Sequence, residues 1–391
     1  MPAVFRSERF SAVALLVAAV LGLVVANSPL GHGLETALAF HTPWGAVGLD
    51  LSISHWISDG LLAVFFFLVA VELKHELVVG ELSNPKTAVI PAIAAVGGVV
   101  VPAGVYLLVT QGSGFEHGWP IPTATDIAFA LGILAMFGKG LPSTLRVFLL
   151  ALAVLDDLIA IVIIAVVFAH DTDFWALGGA VVALAVFWVV ARRLRTGRAR
   201  EGRNQTLLIV LLVVLGIVSW WLVYHSGVHA TIAGVAVGLL LPRKPGHLAY
   251  DRIEPFSNAI VLPLFAFAAA AVTIPAVGIG ELSPTFFAIV LALPVGKVIG
   301  ITLFGGIASR LGRSPDRPTL GLGSVAAVGV LGGIGFTVSL LMNELAFARS
   351  ADIVDEGTLA VLVGSGIAMV ASAIVVTLMA RKARRVAEPA T

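Results

Sequence analysis

The stretch Val147-FLLALAVLDDLIAIVIIAVV-Phe168 is apolar throughout except at its centre, where Asp156 and Asp157 stand side by side. A helix needs about 20 apolar residues to cross a lipid bilayer, and this run supplies them. An unpaired carboxylate in hydrocarbon costs several kcal/mol, so an ionisable residue inside a span marks an ion or proton path by default. Two in succession decide the reading: an all-α, polytopic membrane protein that handles cations or protons.

The rest of the chain extends that reading. Of its 391 residues, 59% are hydrophobic and 12% charged, against roughly 25% charged in a soluble domain; mean hydropathy is +1.03. Runs of span length predict twelve transmembrane helices, near 11–27, 57–79, 87–109, 117–138, 144–169, 174–191, 205–224, 227–242, 256–274, 284–308, 319–345 and 356–380. The first run follows Arg6 and Arg9 and exceeds the ~7–15-residue core of a signal peptide, so it is expected to be an uncleaved span. All but two of the 24 Lys and Arg residues fall in alternate connections. They include Lys74 and Lys86, Lys139 and Arg146, the cluster Arg192, Arg193, Arg195, Arg198, Arg200 and Arg203, the group Arg310, Arg313 and Arg317, and the tail Arg381 to Arg385. The positive-inside rule then places both termini in the cytoplasm, and an odd number of spans would break the alternation. The absence of cysteine fits a bacterial inner membrane and excludes disulfide or thiol chemistry. The chain 1–391 reads as one transporter domain with no soluble unit, no nucleotide-binding loop and no metal-ligand cluster. It is expected to be no enzyme, to need no cofactor and no nucleic acid, and to draw its energy from an ion gradient.

Two spans look interrupted. Pro120-Ile121-Pro122-Thr123-Ala124-Thr125-Asp126 enters the fourth, and Gly332-Gly333-Ile334-Gly335-Phe336-Thr337 enters the eleventh. Each is the middle member of a triplet of spans, about 87–169 and about 284–380. Gly- or Pro-broken spans at matching positions of two halves point to an inverted-repeat transporter whose site lies at the breaks. Three spans per copy is odd, so the copies insert with opposite topology.

Four ionisable residues lie deep in spans: Asp126, Asp156, Asp157 and Lys297. Adjacent helix positions point about 100° apart, so the two neighbouring aspartates cannot share one partner. One is expected to pair with Lys297 and the other to face Asp126 across a water-filled cavity. Carboxylates crowded in a poorly solvated place cannot all ionise cheaply, so a cation and protons would compete for them, which in principle suffices for antiport. Carboxylate, hydroxyl and carbonyl oxygens, with Thr125 beside Asp126, suit a hard ion. Asp126 and Lys297 have a second reading, offsetting the partial charges of half-helix N- and C-termini. Glu72, Lys74, His75 and Glu76 form either a pH-responsive mouth or an ordinary solvated helix end. His225 and His229 flank an outer turn, and Glu344 near the outer end of span eleven reads as a rim residue.

These words together resemble the NhaA-type sodium/proton antiporters from the second span to the twelfth. The resemblance is carried by Phe65-Phe66-Phe67-Leu68-Val69 leading to Glu72, Thr123-Ala124-Thr125-Asp126-Ile127-Ala128-Phe129-Ala130, Leu155-Asp156-Asp157-Leu158, Ser226-Gly227-Val228-His229-Ala230-Thr231, Leu262-Pro263-Leu264-Phe265-Ala266-Phe267-Ala268, Gly296-Lys297, and Gly333-Ile334-Gly335-Phe336-Thr337. NhaA is itself a standing example of the inverted repeat, so the repeat and the resemblance are not independent. The resemblance implies crossed discontinuous helices in spans four and eleven, and exchange of cytoplasmic sodium or lithium for external protons. It implies Asp157 as the main cation and proton carboxylate, with Asp126 and Thr125 beside it, and Asp156 as the exchangeable partner of Lys297. It also implies pH-response roles for Glu72 and His229, and a homodimer in membrane lipid joined through an outer hairpin near 45–54. Two stretches depart from relatives, Ala269-Ala270-Ala271 and the segment Asp251 to Ser257. An intramembrane aspartyl protease would set its membrane aspartates in Tyr-Asp and Gly-x-Gly-Asp patterns, whereas here Asp126 follows Thr125 and Asp157 follows Asp156, and a retinal pump that used Lys297 would have seven spans.

Overall fold

The computed structural model describes residues 7–45, 48–169, 172–195, 203–275, 278–311 and 321–387; Arg6, Arg198, Arg200, Arg313 and Arg317 lie outside them. Among the described residues the secondary structure is helical, with no strand beyond two isolated antiparallel bridges, His41 to Ser52 and Trp44 to Leu49. These bridges fold the connection after the first helix back on itself around the expected hairpin. Besides the short helix Gly31–Leu38, the helices are α1 (Glu8–Ala26), α2 (Ile53–Val78), α3 (Pro85–Thr110), α4 (Ile127–Phe137), α5 (Ser143–Val167), α6 (Phe174–Arg195), α7 (Arg203–His225) and α8 (Thr231–Leu240). They continue with α9 (Arg243–Phe256), α10 (Leu262–Ala269), α11 (Pro284–Arg310), α12 (Leu322–Gly332), α13 (Phe336–Ala346) and α14 (Ala351–Ala387).

Nine helical segments among the described residues are long and apolar enough to cross a bilayer, or ten if α12 and α13 are one bent span. The count differs from twelve at the eighth and ninth expected spans. Within 227–242 only the ten residues of α8 are helical and apolar. Within 256–274, α10 stops at Ala269, and the apolar Ala271, Val272 and Ile274 are irregular. A run of apolar residues measures solubility in lipid, whereas a span also needs an unbroken hydrogen-bond ladder.

Packing sorts the helices into two groups. In one, α3 lies along α11, with α5, α12 and α14 against them. Gly97 and Gly300 face each other at this seam, and a Cβ on either would collide with the carbonyl of the other, so the two backbones touch through residues without side chains. In the other group α2 packs on α8, α6 on α7, and α1 on α10. The groups meet where α1 contacts α4 and α2 contacts α5, which brings the aspartate pair of α5 to the interface.

Prolines shape α11 locally. Pro294 has no N–H to donate, and the residues Ala292–Gly296 around it adopt a wider π turn immediately before Lys297. A second π turn, Ser257–Val261, lies between Pro255 and Pro263 and joins α9 to α10. Such turns recur at functional sites because they re-aim the side chains that follow.

Candidate cation and proton site

Both expected breaks exist, and they touch. In the first, the 3-10 turn Ile121–Thr123 gives way to extended backbone at Ala124 and Asp126 before α4 begins. In the second, α12 ends at Gly332, α13 starts at Phe336, and the two halves bend by 50°. The Asp126 N–H donates to Ile334 O at 2.6 Å, joining one break to the other. Gly333 and Gly335 have ordinary negative φ, so space rather than strain selects them. A Cβ on Gly335 would collide with the Ser339 hydroxyl, which itself donates to Ile121 O at 2.7 Å across the breaks.

Asp126 is the N-cap of α4 and also reaches α13. Its Oδ1 accepts from Phe129 N at 3.1 Å, while its Oδ2 accepts from the Thr337 N–H at 3.2 Å and the Thr337 hydroxyl at 2.7 Å. One carboxylate thus closes orphan donors at two half-helix N-termini, where negative charge is favourable. The Phe336 N–H, next in line, donates to the buried Ser365 hydroxyl at 3.2 Å.

Asp156 is sealed away. Its Oδ2 accepts from Lys297 Nζ at 2.6 Å and from the Thr125 hydroxyl at 2.7 Å, and neither charged side chain is exposed. Lys297 also donates to Thr125 Oγ1 at 3.1 Å, and that oxygen lies 2.8 Å from Gly332 O, at the C-terminal end of α12. A hydroxyl has a single hydrogen, so Thr125 serves either Asp156 or Gly332 at any moment. Lys297 reaches the end of α12 only through this hydroxyl. The notion that it compensates a half-helix C-terminus becomes a relay through Thr125 rather than a direct contact.

Asp157 is different. It has neither a hydrogen bond nor an ion pair among the described residues, and its Oδ1 is buried without a partner. It lines a cavity of about 160 Å³ together with Thr125, Asp126, Thr337, Glu72 and Tyr250. The cavity runs past Glu8 and Glu254 toward helix ends that carry basic residues; Glu8 pairs with Arg146. Among the described residues no three His, Cys, Asp or Glu side chains converge as ligands of a resident metal ion.

The expected pH-response residues separate. Glu72 faces the cavity and accepts a long, 3.4 Å hydrogen bond from the Tyr250 hydroxyl. Burial, then the Glu72 and Glu254 carboxylates, push that phenol above its ordinary value, so it remains a donor. Its neighbours at the end of α2 do other work: Lys74 Nζ closes Leu239 O and Leu241 O at the end of α8, and His75 stacks on His247. His229 lies elsewhere, with Nε2 3.2 Å from Asp59 Oδ1 and Nδ1 2.8 Å from Thr231 Oγ1, and does not line the aspartate cavity. Sequence reasoning overlooked Tyr250, Asn258 and Ser365. The available signal was a polar residue facing the lipid-depth part of an otherwise apolar or amphipathic helix.

The model of the Na+/H+ antiporter 1 family matches residues 2–376. The Na(+)/H(+) antiporter NhaA 2 of Clavibacter michiganensis is 56% identical over 386 residues, 98% of this chain and 94% of that one. The chain belongs to the NhaA family of sodium/proton antiporters. NhaA 3 of Streptomyces coelicolor is 48% identical over 93% of this chain and 77% of its own length. The NhaA of Tropheryma whipplei is 45% identical over 93% and 91%. NhaA proteins are transporters, and the apolar helices described above make this member a multi-pass membrane protein.

Proposed function

We propose that this chain exports cytoplasmic sodium, or lithium, in exchange for external protons, with two protons entering per sodium ion and with activity that depends on pH. The observation that carries the reading is the split between neighbours: Asp156 is held by Lys297 and Thr125, while Asp157 faces the cavity without a partner. An unpartnered carboxylate is free to take either a cation or a proton, and an ion bound there would meet oxygens of Thr125, Asp126 and Thr337. Binding sodium requires the proton to leave, and protonation requires sodium to leave. The Asp156–Lys297 pair supplies the second proton: Lys297 loses its proton in one half-cycle and regains the ion pair in the other. Each cycle then carries one net charge inward, and a potential of about 100 mV adds about 2.3 kcal/mol to sodium export.

The remaining features belong to the same proposal. Twelve crossings, with both termini in the cytoplasm of a bacterial inner membrane, accommodate the basic connections. The triplets 87–169 and 284–380 are inverted repeats with crossed broken helices, supported by the joined breaks at Asp126 and Ile334. The hairpin around 41–52 is the face through which a homodimer forms in the lipid. Glu72 adjusts the cavity to cytoplasmic pH, and His229, paired with Asp59, responds on the other side. Transport in proteoliposomes with sodium, lithium and potassium, compared across pH and with and without an imposed potential, tests the reading. Sodium or lithium gradients should drive proton movement that potassium does not. Equal response to potassium, or indifference to potential, would overturn the ion choice or the two-for-one coupling respectively.

A further inference from the structure

The aspartate cavity has a counterpart. A second cavity, of about 120 Å³, is lined by Ser58, Phe265, Ala269, Leu340, Glu344 and Thr358, among others. Both cavities are strung along the same three helices. On α13, Thr337 lines the first cavity, while Leu340 and Glu344 line the second. The spacings of three and seven residues keep all three on one face. On α10, Leu262 lines the first, while Phe265 and Ala269 line the second, with the same spacings. On α2, Phe65, Leu68 and Glu72 line the first, while Ser54 and Ser58 line the second. At 1.5 Å per residue, Glu344 lies about 10 Å further along α13 than Thr337, the residue that holds Asp126.

Between the cavities the facing side chains are apolar: Leu262 and Phe265 on α10, Val338 and Leu340 on α13. Beyond that barrier Glu344 is the one ionisable side chain lining the second cavity, and it has no hydrogen-bond partner among the described residues. The Asp59 carboxylate, which the His229 ring faces at 3.2 Å, acts electrostatically on it. Around Glu344 the walls offer the hydroxyls of Ser54, Ser58 and Thr358. A lone carboxylate with hydroxyls in a narrow, low-dielectric cleft concentrates small hard cations.

We propose that this second cavity is the outer half of the same transport path, and that Glu344 is its cation station, collecting external sodium, lithium or hydronium ions before they reach Asp157. This rests on the antiport reading above, and it makes Glu344 a residue that acts on one face of the membrane only. Everted vesicles present the cytoplasmic face and right-side-out vesicles the external face, so exchange measured in both separates the two. Glu344→Gln should raise the half-saturating sodium concentration at the external face about tenfold and leave that at the cytoplasmic face unchanged. Glu344→Asp should restore the external value. Should the amide variant fail to insert, Ser54→Lys places a positive charge on the same wall and should raise the external value in the same way. A change of equal size on both faces, a change on the cytoplasmic face alone, or no change on either would overturn the proposal. Loss of wild-type exchange in both vesicle types would instead sink the antiport reading itself.

Discussion

Asp156 and Asp157 follow one another on α5, yet their surroundings have little in common. The first turns toward α11, where Lys297 and Thr125 close one of its oxygens at 2.6 and 2.7 Å. The second turns about 100° away, into a cavity, and makes no hydrogen bond or ion pair among the described residues. The difference teaches how a single residue step along a helix separates two environments. A carboxylate with a lysine and a hydroxyl on it is already neutralised by the protein, while one facing a cavity leaves its oxygens open to an ion or a proton.

The sharpest way to break this comparison is to neutralise each aspartate in turn. Asp157→Asn should abolish sodium-driven proton movement, because an amide neither releases a proton nor neutralises a cation. The same change breaks no hydrogen bond among the described residues, so thermal unfolding should shift by less than about 1 kcal/mol. Near-normal exchange by folded Asp157→Asn protein would show that the cavity-facing carboxylate is not the carrier.

Lys297→Met probes the other side and should reverse the pattern. Removing one member of a buried ion pair strands the other and costs about 3–5 kcal/mol. The double variant Asp156→Asn with Lys297→Met should recover much of that loss, since neither charge is then left alone. Some exchange should survive in it, with the charge movement reduced or absent. Potential-driven transport in proteoliposomes checks this: a double variant as electrogenic as the wild type would leave Lys297 as a structural counter-ion only.

Asp126 stands between the two extremes, because it lines the cavity and also caps α4 and α13. Asp126→Ala should weaken sodium binding and cost about 2 kcal/mol of stability through the lost caps. Titration of sodium against a thermal-stability signal measures both at once. Weaker binding with no loss of stability would mean that the caps contribute little.

How far this was legible in the sequence follows from the same residues. The chemistry was readable because charge inside a span is costly, so Asp126, Asp156, Asp157 and Lys297 stood out with no structure at all. The breaks were readable from Pro120, Pro122 and the glycines after Leu331. Which aspartate takes the lysine was not readable from the residues alone, since a 100° offset says that the two differ without saying which faces α11. That depends on the rotation of α11 after the π turn at Pro294, a tertiary fact. The resemblance implies Asp156 as the partner of Lys297, and in the structure the two lie 2.6 Å apart. The helices of spans eight and nine are shorter than the apolar runs that predict them, because apolar residues continue past the helix ends at Leu240 and Ala269. Glu344 reads as a rim residue from its place near the end of its span, and that it shares a cavity wall with residues of α10 and α2 is a tertiary fact.

The smallest effect expected is at the cavity wall, where Glu72 and Tyr250 meet. Their hydrogen bond is 3.4 Å long, near the limit at which such a contact still counts. Tyr250→Phe should therefore change stability by less than about 0.5 kcal/mol. The phenol is pushed above its ordinary value of 10.0 by burial. Its neutral form is thus the one the fold favours, and its burial begins to cost stability only as pH rises above that value, outside the range of transport. Through that range Tyr250 is always a donor, so any pH dependence arising at this contact belongs to Glu72. Glu72→Gln should then flatten the pH profile of exchange, whereas Tyr250→Phe should move its midpoint by less than about half a pH unit. Measuring initial rates of sodium-driven proton movement across pH distinguishes them. If Tyr250→Phe flattens the profile as strongly as Glu72→Gln, the tyrosine is part of the response and not merely its neighbour. The cavity around Asp157 would then owe its pH dependence to a hydrogen-bonded pair spanning α2 and α9 rather than to one carboxylate.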